Sequence, residues 1–317
     1  MAEIKMQLLT VAGQVLQLFL LIGVGAVCRR TKLLDDGAVR GIVNLLLKLV
    51  TPALMIECFQ RPLEPHLVGQ LAAAFAVALL LHLLMIAIAA AVYRGDDAAT
   101  PVHRLAVVFS NGGFMGIPLE MALLGRDGVF YGVIYVAVFN LVIWSWGLKV
   151  MRGGRGGGSR WRALLNPGVL GLSVALPLFL GSVALPDFVR TPIRMLSDLN
   201  TPLAMLVIGY YLAGTNPLKF LKSPAALGSS VLRLAVAPLL AIAVCAALGG
   251  FVDRTLALAL VIAASAPVAA MVTMFAAKFG RDVELAVALV SGTTLLSVVS
   301  MPAVITLARC VLRGAGD

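Results

Sequence analysis

Ser110-Asn111-Gly112-Gly113-Phe114-Met115-Gly116-Ile117-Pro118 places three glycines and a proline inside one of the most hydrophobic stretches of a 317-residue chain. A helix in lipid must satisfy its own backbone hydrogen bonds, because the surroundings offer no partners. Glycine weakens a helix, and proline removes a donor and clashes with the preceding turn. The helix that starts near Val102 is therefore expected to break in mid-membrane. Such a break is tolerated only where the freed backbone faces protein or a water-filled cavity. This segment is the first candidate for the place where a polar solute crosses.

The composition around it supports a membrane setting. Hydrophobic residues make up 61% of the chain and charged residues 13%, with mean hydropathy +1.00. Apolar runs long enough for a ~30 Å hydrocarbon core recur from end to end. Ten are read, at about 8–28, 38–58, 67–93, 102–124, 128–150, 164–185, 193–214, 225–249, 254–278 and 283–311, with Lys48 and Pro177 interrupting the second and sixth. The short connections leave no room for a soluble domain. The first run ends in Cys28-Arg29-Arg30 without a small-residue cleavage site, so it reads as a span rather than a signal peptide. The cysteines, Cys28, Cys58, Cys245 and Cys310, have no metal-ligand spacing and read as small core residues.

A net charge of +10 invites a nucleic-acid reading, but the basic residues lie between spans. Counted over alternate connections they divide 15 against 8, with Lys48 and Arg233 inside spans. The positive-inside rule then makes the richer face cytoplasmic and puts both termini outside. The Gly/Arg-rich linker 151–163 falls on the cytoplasmic face.

That linker divides two halves that resemble each other. Thr51-Pro52-Ala53-Leu54-Met55 is echoed by Thr201-Pro202-Leu203-Ala204-Met205 at an offset of 150 residues. Arg104 and Arg254 share that offset, Pro118 and Pro267 lie 149 apart, and Gly125-Arg126-Asp127 returns as Gly280-Arg281-Asp282 after 155. The expected architecture is all-α: ten transmembrane helices in a five-plus-five inverted repeat, residues 1–150 and 164–317. An odd number of spans per half forces the second copy to enter from the opposite side, as in many secondary transporters. Spans four and nine are the broken pair, the second break falling at Ser265-Ala266-Pro267.

Asn111 to Leu119 resembles the fourth-helix signature of the auxin efflux carrier family. The resemblance extends to the Thr-Pro-Ala-Leu of span two, Pro202 to Gly209, Arg233-Leu234 with Pro238, and the Ala-Pro break of span nine. It implies ten helices in an inverted repeat, broken helices crossing at their prolines, and scaffold and transport domains that move relative to each other. It also implies the general fold of the bile acid sodium symporters. Without the long cytosolic loop of many plant members, the chain looks like the short bacterial form, in an inner membrane. Such members are linked to small dicarboxylates such as malonate or malate; plant members export the aromatic carboxylate auxin.

The residues themselves also suggest an anion. Where a helix restarts, free N–H groups and the positive dipole end point into the gap. They can hold a carboxylate without a basic side chain at the midplane, which costs about 2.5–3.5 kcal/mol on insertion scales. Asn111 is the natural side-chain donor, Ser110 adds a hydroxyl, and Ser265 and Thr273 are their counterparts in the second half. Gly112, Gly113 and Gly116 would admit a close approach to the backbone, with Pro118 and Pro267 holding the breaks open. The alternative is that these small residues only permit tight helix crossing.

Glu120 is the candidate coupling carboxylate unless it reaches outer-face water, and Lys48 either lines the path or snorkels to the cytoplasm. Arg233 is expected to snorkel, Glu57 and Asp198 to be solvated, His82 to be a satisfied core residue, and Asp127 and Asp282 to cap helices. No cofactor is expected, and the choice of proton, sodium or no coupling ion stays open. The partners are a small organic anion and lipid, and the small-residue face Ala72 to Ala78 could pack a homodimer. A secondary carrier is favoured over an anion channel, because the symmetry is internal and inverted rather than oligomeric. No HExxH, Gly-x-Ser-x-Gly, histidine cluster or Walker sequence points to an enzyme or an ATP-driven pump.

Overall fold

A computed structural model describes residues 2–95, 97–153, 167–215 and 223–312. The basic linker 151–163 lies outside the described residues from 154 onward. Among the described residues every regular element is a helix, and the one extended pairing is an isolated antiparallel bridge between Ser110 and Val268.

In chain order the helices are α1 (Ala2–Arg30), α2 (Asp36–Phe59), α3 (Pro65–Val92), α4 (Thr100–Val108), α5 (Gly112–Met151), α6 (Pro167–Leu180), α7 (Asp187–Asp198), α8 (Asn200–Ala213), α9 (Pro224–Ala247), α10 (Arg254–Ser265), α11 (Met271–Lys278) and α12 (Val283–Val311). Their starts follow from local chemistry. Asp35, Ser223 and Asp282 accept from backbone N–H groups at the openings of α2, α9 and α12, each supplying a donor's missing partner. Asp97 does the same for Thr100 at 2.7 Å, and the Thr100 hydroxyl and N–H hold its carboxyl below the usual range.

Among the described residues six stretches are long and apolar enough to cross a membrane: Gly13–Arg30 of α1, and α2, α3, α5, α9 and α12. Leu170–Leu180 of α6 and the whole of α10 are shorter apolar helices. Large apolar side chains such as Leu20, Leu83 and Val299 stand exposed on these helices, which suits contact with lipid.

The 40 residues of α5 are not one straight rod. Gly125 has φ 67° and ψ −156°, a conformation that favours glycine, and the helix folds back there. The Glu120 carboxylate lies 1.7 Å from where a Cβ on Gly132 would stand. Twelve residues of straight helix would separate those positions by about 18 Å. Gly280 repeats the device at φ 61°. The two Gly-Arg-Asp copies thus share a backbone, but their aspartates diverge. Asp282 caps α12 as expected, whereas Asp127 pairs with Arg61 at 2.9 Å.

Packing joins the halves. Helix α1 lies along α8, and α2 lies along α6. A Cβ on Gly25 would stand 2.2 Å from the Leu206 carbonyl oxygen, and one on Gly209 would stand 1.9 Å from that of Ile22. Glycine on both sides lets the α1 and α8 backbones touch, and in lipid such close packing replaces the hydrophobic drive between helices.

The buried apolar residues form two clusters. The larger runs through α3, α4, the second limb of α5, α9 and α10. The smaller gathers α1, α2, the start of α5, α8 and the end of α12. Val108, Phe109 and Val268 belong to the larger, while Met115 and Ala266 belong to the smaller. The two helix breaks therefore sit on the boundary between the clusters.

Candidate functional site

Helix α4 stops at Val108 and helix α10 stops at Ser265, and the unwound residues that follow pair with each other. The Asn111 N–H donates to the Pro267 carbonyl at 2.7 Å, and the Ala269 N–H donates to the Phe109 carbonyl at 3.0 Å. Each break satisfies backbone groups of the other, as a membrane interior requires. The Val268 N–H donates to Thr293 Oγ1 at 3.1 Å, so α12 closes a further donor.

The carbonyl ends of the two half-helices meet one side chain. Arg233, on α9, is 1% exposed. Its Nη1 donates to the carbonyls of Val107 at 3.1 Å and Val108 at 3.0 Å, and its Nη2 donates to that of Ala264. The expected snorkelling is overturned: three carbonyls with no partner in their own helices draw the guanidinium inward.

Beyond the first break the chain restarts in a π-helical turn, Gly112–Gly116, and becomes α-helical at Ile117 with Pro118 in the first turn. The Asn111 carbonyl accepts from Met115 and Gly116. The N–H groups of Gly112, Gly113 and Phe114 are the first donors of the new helix, which no helix can bond internally. Gly113 has no heavy atom within 4 Å of where a side chain would stand. The second restart differs. In α11 the N–H groups of Val272 and Thr273 already donate to the carbonyls of Ala269 and Ala270.

The other candidate side chains divide. Ser110 is buried, and its hydroxyl donates to the Tyr135 hydroxyl at 3.2 Å. Asn111 is 7% exposed, and its side chain does not cap the turn that follows. A Cβ on Gly112 would stand 3.5 Å from the Tyr135 ring and one on Gly116 would stand 3.4 Å from the Ala263 Cα, so these two glycines set helix spacing while Gly113 faces open space. Ser265 is buried with its hydroxyl donating to Ile262 of its own helix at 2.8 Å. Pro267 lies in the crossing, and Thr273 is half-buried on α11 beyond it. Lys48 is exposed, on a π-helical turn of α2, and does not line the cavity described below.

Glu120 is fully buried, and neither carboxylate oxygen has a hydrogen-bond partner. The fold-back at Gly125 encloses it against Gly132, which keeps it from the outer water that the sequence left open. His82 is buried, with Nδ1 2.7 Å from the Ala78 carbonyl and Nε2 unpartnered.

A cavity of about 220 Å³ begins where α5 becomes α-helical. Its walls are Leu54, Ile117, Met121 and Arg126 on one side and Ser197, Asp198, Asn200 and Thr201 on the other. Thr51 Oγ1 donates to Asn200 Oδ1 at 3.3 Å, leaving the buried Asn200 Nδ2 unpartnered. The repeated Thr-Pro segments thus meet beside the first break. Asn200, Ser197 and Arg126 escaped the sequence reading. The Thr-Pro repeat was the signal for Asn200 and Ser197, since its second copy begins one residue after Asn200, and the Gly-Arg-Asp repeat was the signal for Arg126.

Glu57 organises the cavity's arginine end. It is 2% exposed rather than solvated, because Arg126 (2.7 Å), Arg190 (3.2 Å) and Arg194 (4.0 Å) converge on it from α5 and α7. Pairing of this kind offsets the cost of burying an ionised carboxylate.

Comparison with known proteins points to membrane transport. A family described as membrane transport protein matches residues 10–160 and 158–305. An uncharacterized transporter of Methanothermobacter thermautotrophicus is 28% identical over 212 residues, covering 65% of this chain and 68% of the relative.

Proposed function

The chain belongs to the membrane transport protein family, the auxin efflux carriers, so it is a multi-pass transporter rather than an enzyme, and we propose that it carries small organic anions by alternating access. The substrate class is carboxylates, with dicarboxylates such as malonate or malate foremost. The observation that carries the reading is the crossing itself. Two broken helices exchange backbone hydrogen bonds, and the first restart presents unbonded N–H groups beside Asn111 and the open face of Gly113. A helix N-terminus in this setting receives a carboxylate, its N–H groups supplying both donors and partial positive charge.

The layout we propose is ten spans in two inverted halves. In it α4 with the first limb of α5 makes span four, α7 with α8 makes span seven, and α10 with α11 makes span nine. The path runs from the arginine end of the cavity, past Asn200 and Thr201, to the crossing. Arg126, Arg190 and Arg194 outnumber Glu57 and Asp198 at that end, and the surplus positive charge favours entry of an anion. The cluster boundary through the crossing is where the two bodies would slide, exposing the site first to one face and then to the other. The positive-inside count places the linker 151–163 in the cytoplasm and the arginine end outside.

Liposomes containing the purified protein test the reading. Uptake of labelled malonate should saturate and should quicken when the vesicles are preloaded with unlabelled malonate. Flux that neither saturates nor exchanges would make the protein a pore and overturn the proposal.

A further inference from the structure

Carriers built on discontinuous helices commonly hold a coupling cation with half-helix C-termini and unwound carbonyls, the electronegative ends of the break. In this protein that place is occupied by a side chain. Helices α4 and α10 both end at the crossing, and the carbonyls of Val107, Val108 and Ala264 all accept from one guanidinium. Each helix terminus carries roughly half a negative charge, so two together present about one unit, which a single guanidinium matches. Arg233 donates to backbone carbonyls at both helix ends, with the Tyr135 side chain beside the guanidinium as a further partner, and no carboxylate pairs with it among the described residues, so the helix ends are its main counter-charge. Arginine suits the task because its planar fork of donors reaches acceptors on two separate elements, which a lysine point charge cannot. The void beside it, walled by His82, Tyr135 and Ala264, measures about 10 Å³. That is at the limit for one water, and the carbonyls an ion would need as ligands already accept from the guanidinium.

We infer that Arg233 is a tethered cation that closes the C-terminal ends of both broken helices, so that the crossing takes no metal cation from solution. The capping stands on geometry alone; the consequence that uptake is independent of sodium rests on the carrier reading above. Arg233 is a positioning residue on this account, holding the crossing in shape without touching the substrate.

The first measurement is the melting temperature of the purified protein in sodium chloride and in choline chloride of equal concentration. The wild type should melt alike in both. Arg233→Ala should melt lower, and tens of millimolar guanidinium should raise it more than the same concentration of urea, which has the shape without the charge. A wild type stabilised by sodium overturns the inference, as does an Arg233→Ala protein that melts like the wild type or responds equally to urea. If Arg233→Ala yields no folded protein, Arg233→Lys decides with the wild type. It keeps the charge without the fork, should melt below the wild type and should ignore sodium; stabilisation by sodium in either protein counts against the inference. The second measurement is malonate uptake by wild-type liposomes in the two salts. Equal rates support the inference and stimulation by sodium overturns it. No uptake in either salt would fail the carrier reading and leave the melting data to judge Arg233.

Discussion

The two breaks pair with each other and differ in their side chains and in how the helix restarts. The first, around Ser110–Pro118, carries an asparagine, three glycines and a helix restart whose leading N–H groups have no carbonyl within the helix to accept them. The second, around Ala266–Ala270, is buried and apolar, and its restart closes on itself through the carbonyls of Ala269 and Ala270. An internal repeat supplies a break at both places, while chemistry need be supplied at only one. On the proposed reading, the first break meets the solute and the second holds the first open. Thr293 and Arg233 reinforce the holding role, since both bind backbone of the second break and Arg233 binds the first as well.

Substitutions can break or sharpen this contrast. Asn111→Ala should have the largest effect, lowering malonate uptake at least tenfold while membrane expression and melting temperature stay near wild type. Tenfold is about 1.4 kcal/mol, close to the lower end of what a hydrogen bond to a charged group contributes. Gly116→Val comes next. Even a single Cβ would stand 3.4 Å from the Ala263 Cα, so a branched side chain must push α10 away from the crossing. Overpacking of this kind costs about 1–3 kcal/mol, to be seen as a lower melting temperature together with slower uptake. Thr293→Val keeps the shape but strands the buried Val268 N–H, and melting should fall by the equivalent of about 1–3 kcal/mol with a smaller loss of uptake. Ser265→Ala should change least in both assays, because its hydroxyl bonds only to its own helix. If Ser265→Ala proved as damaging as Asn111→Ala, the two breaks would be chemically equivalent and the contrast would be lost.

How much of this was legible in advance follows from the range of each interaction. The break at Ser110–Pro118, its partner at Pro267 and the paired turns at Gly125 and Gly280 are written in glycine and proline, whose backbone preferences are local. The family was legible for the same reason, since its signature is that break. Arg233 was misread because its partners, Val107 and Val108, lie 126 and 125 residues away along the chain. A local window shows only a charge in an apolar helix, for which snorkelling is the ordinary solution. Glu57 was misread likewise, its arginines arriving from 69 and 133 residues away. The cavity beside Asn200 depends on the division between α7 and α8 at Leu199, which no glycine or proline at that position announces.

The central claim, that the anion meets the first break and not the second, is tested most directly by cysteine protection. Gly113→Cys and Thr273→Cys, each in a background lacking Cys28, Cys58, Cys245 and Cys310, would be labelled with a water-soluble thiol reagent with and without malonate. The account predicts that malonate slows labelling at position 113 and leaves position 273 unchanged. Equal protection at both positions, or protection at 273 alone, would contradict it.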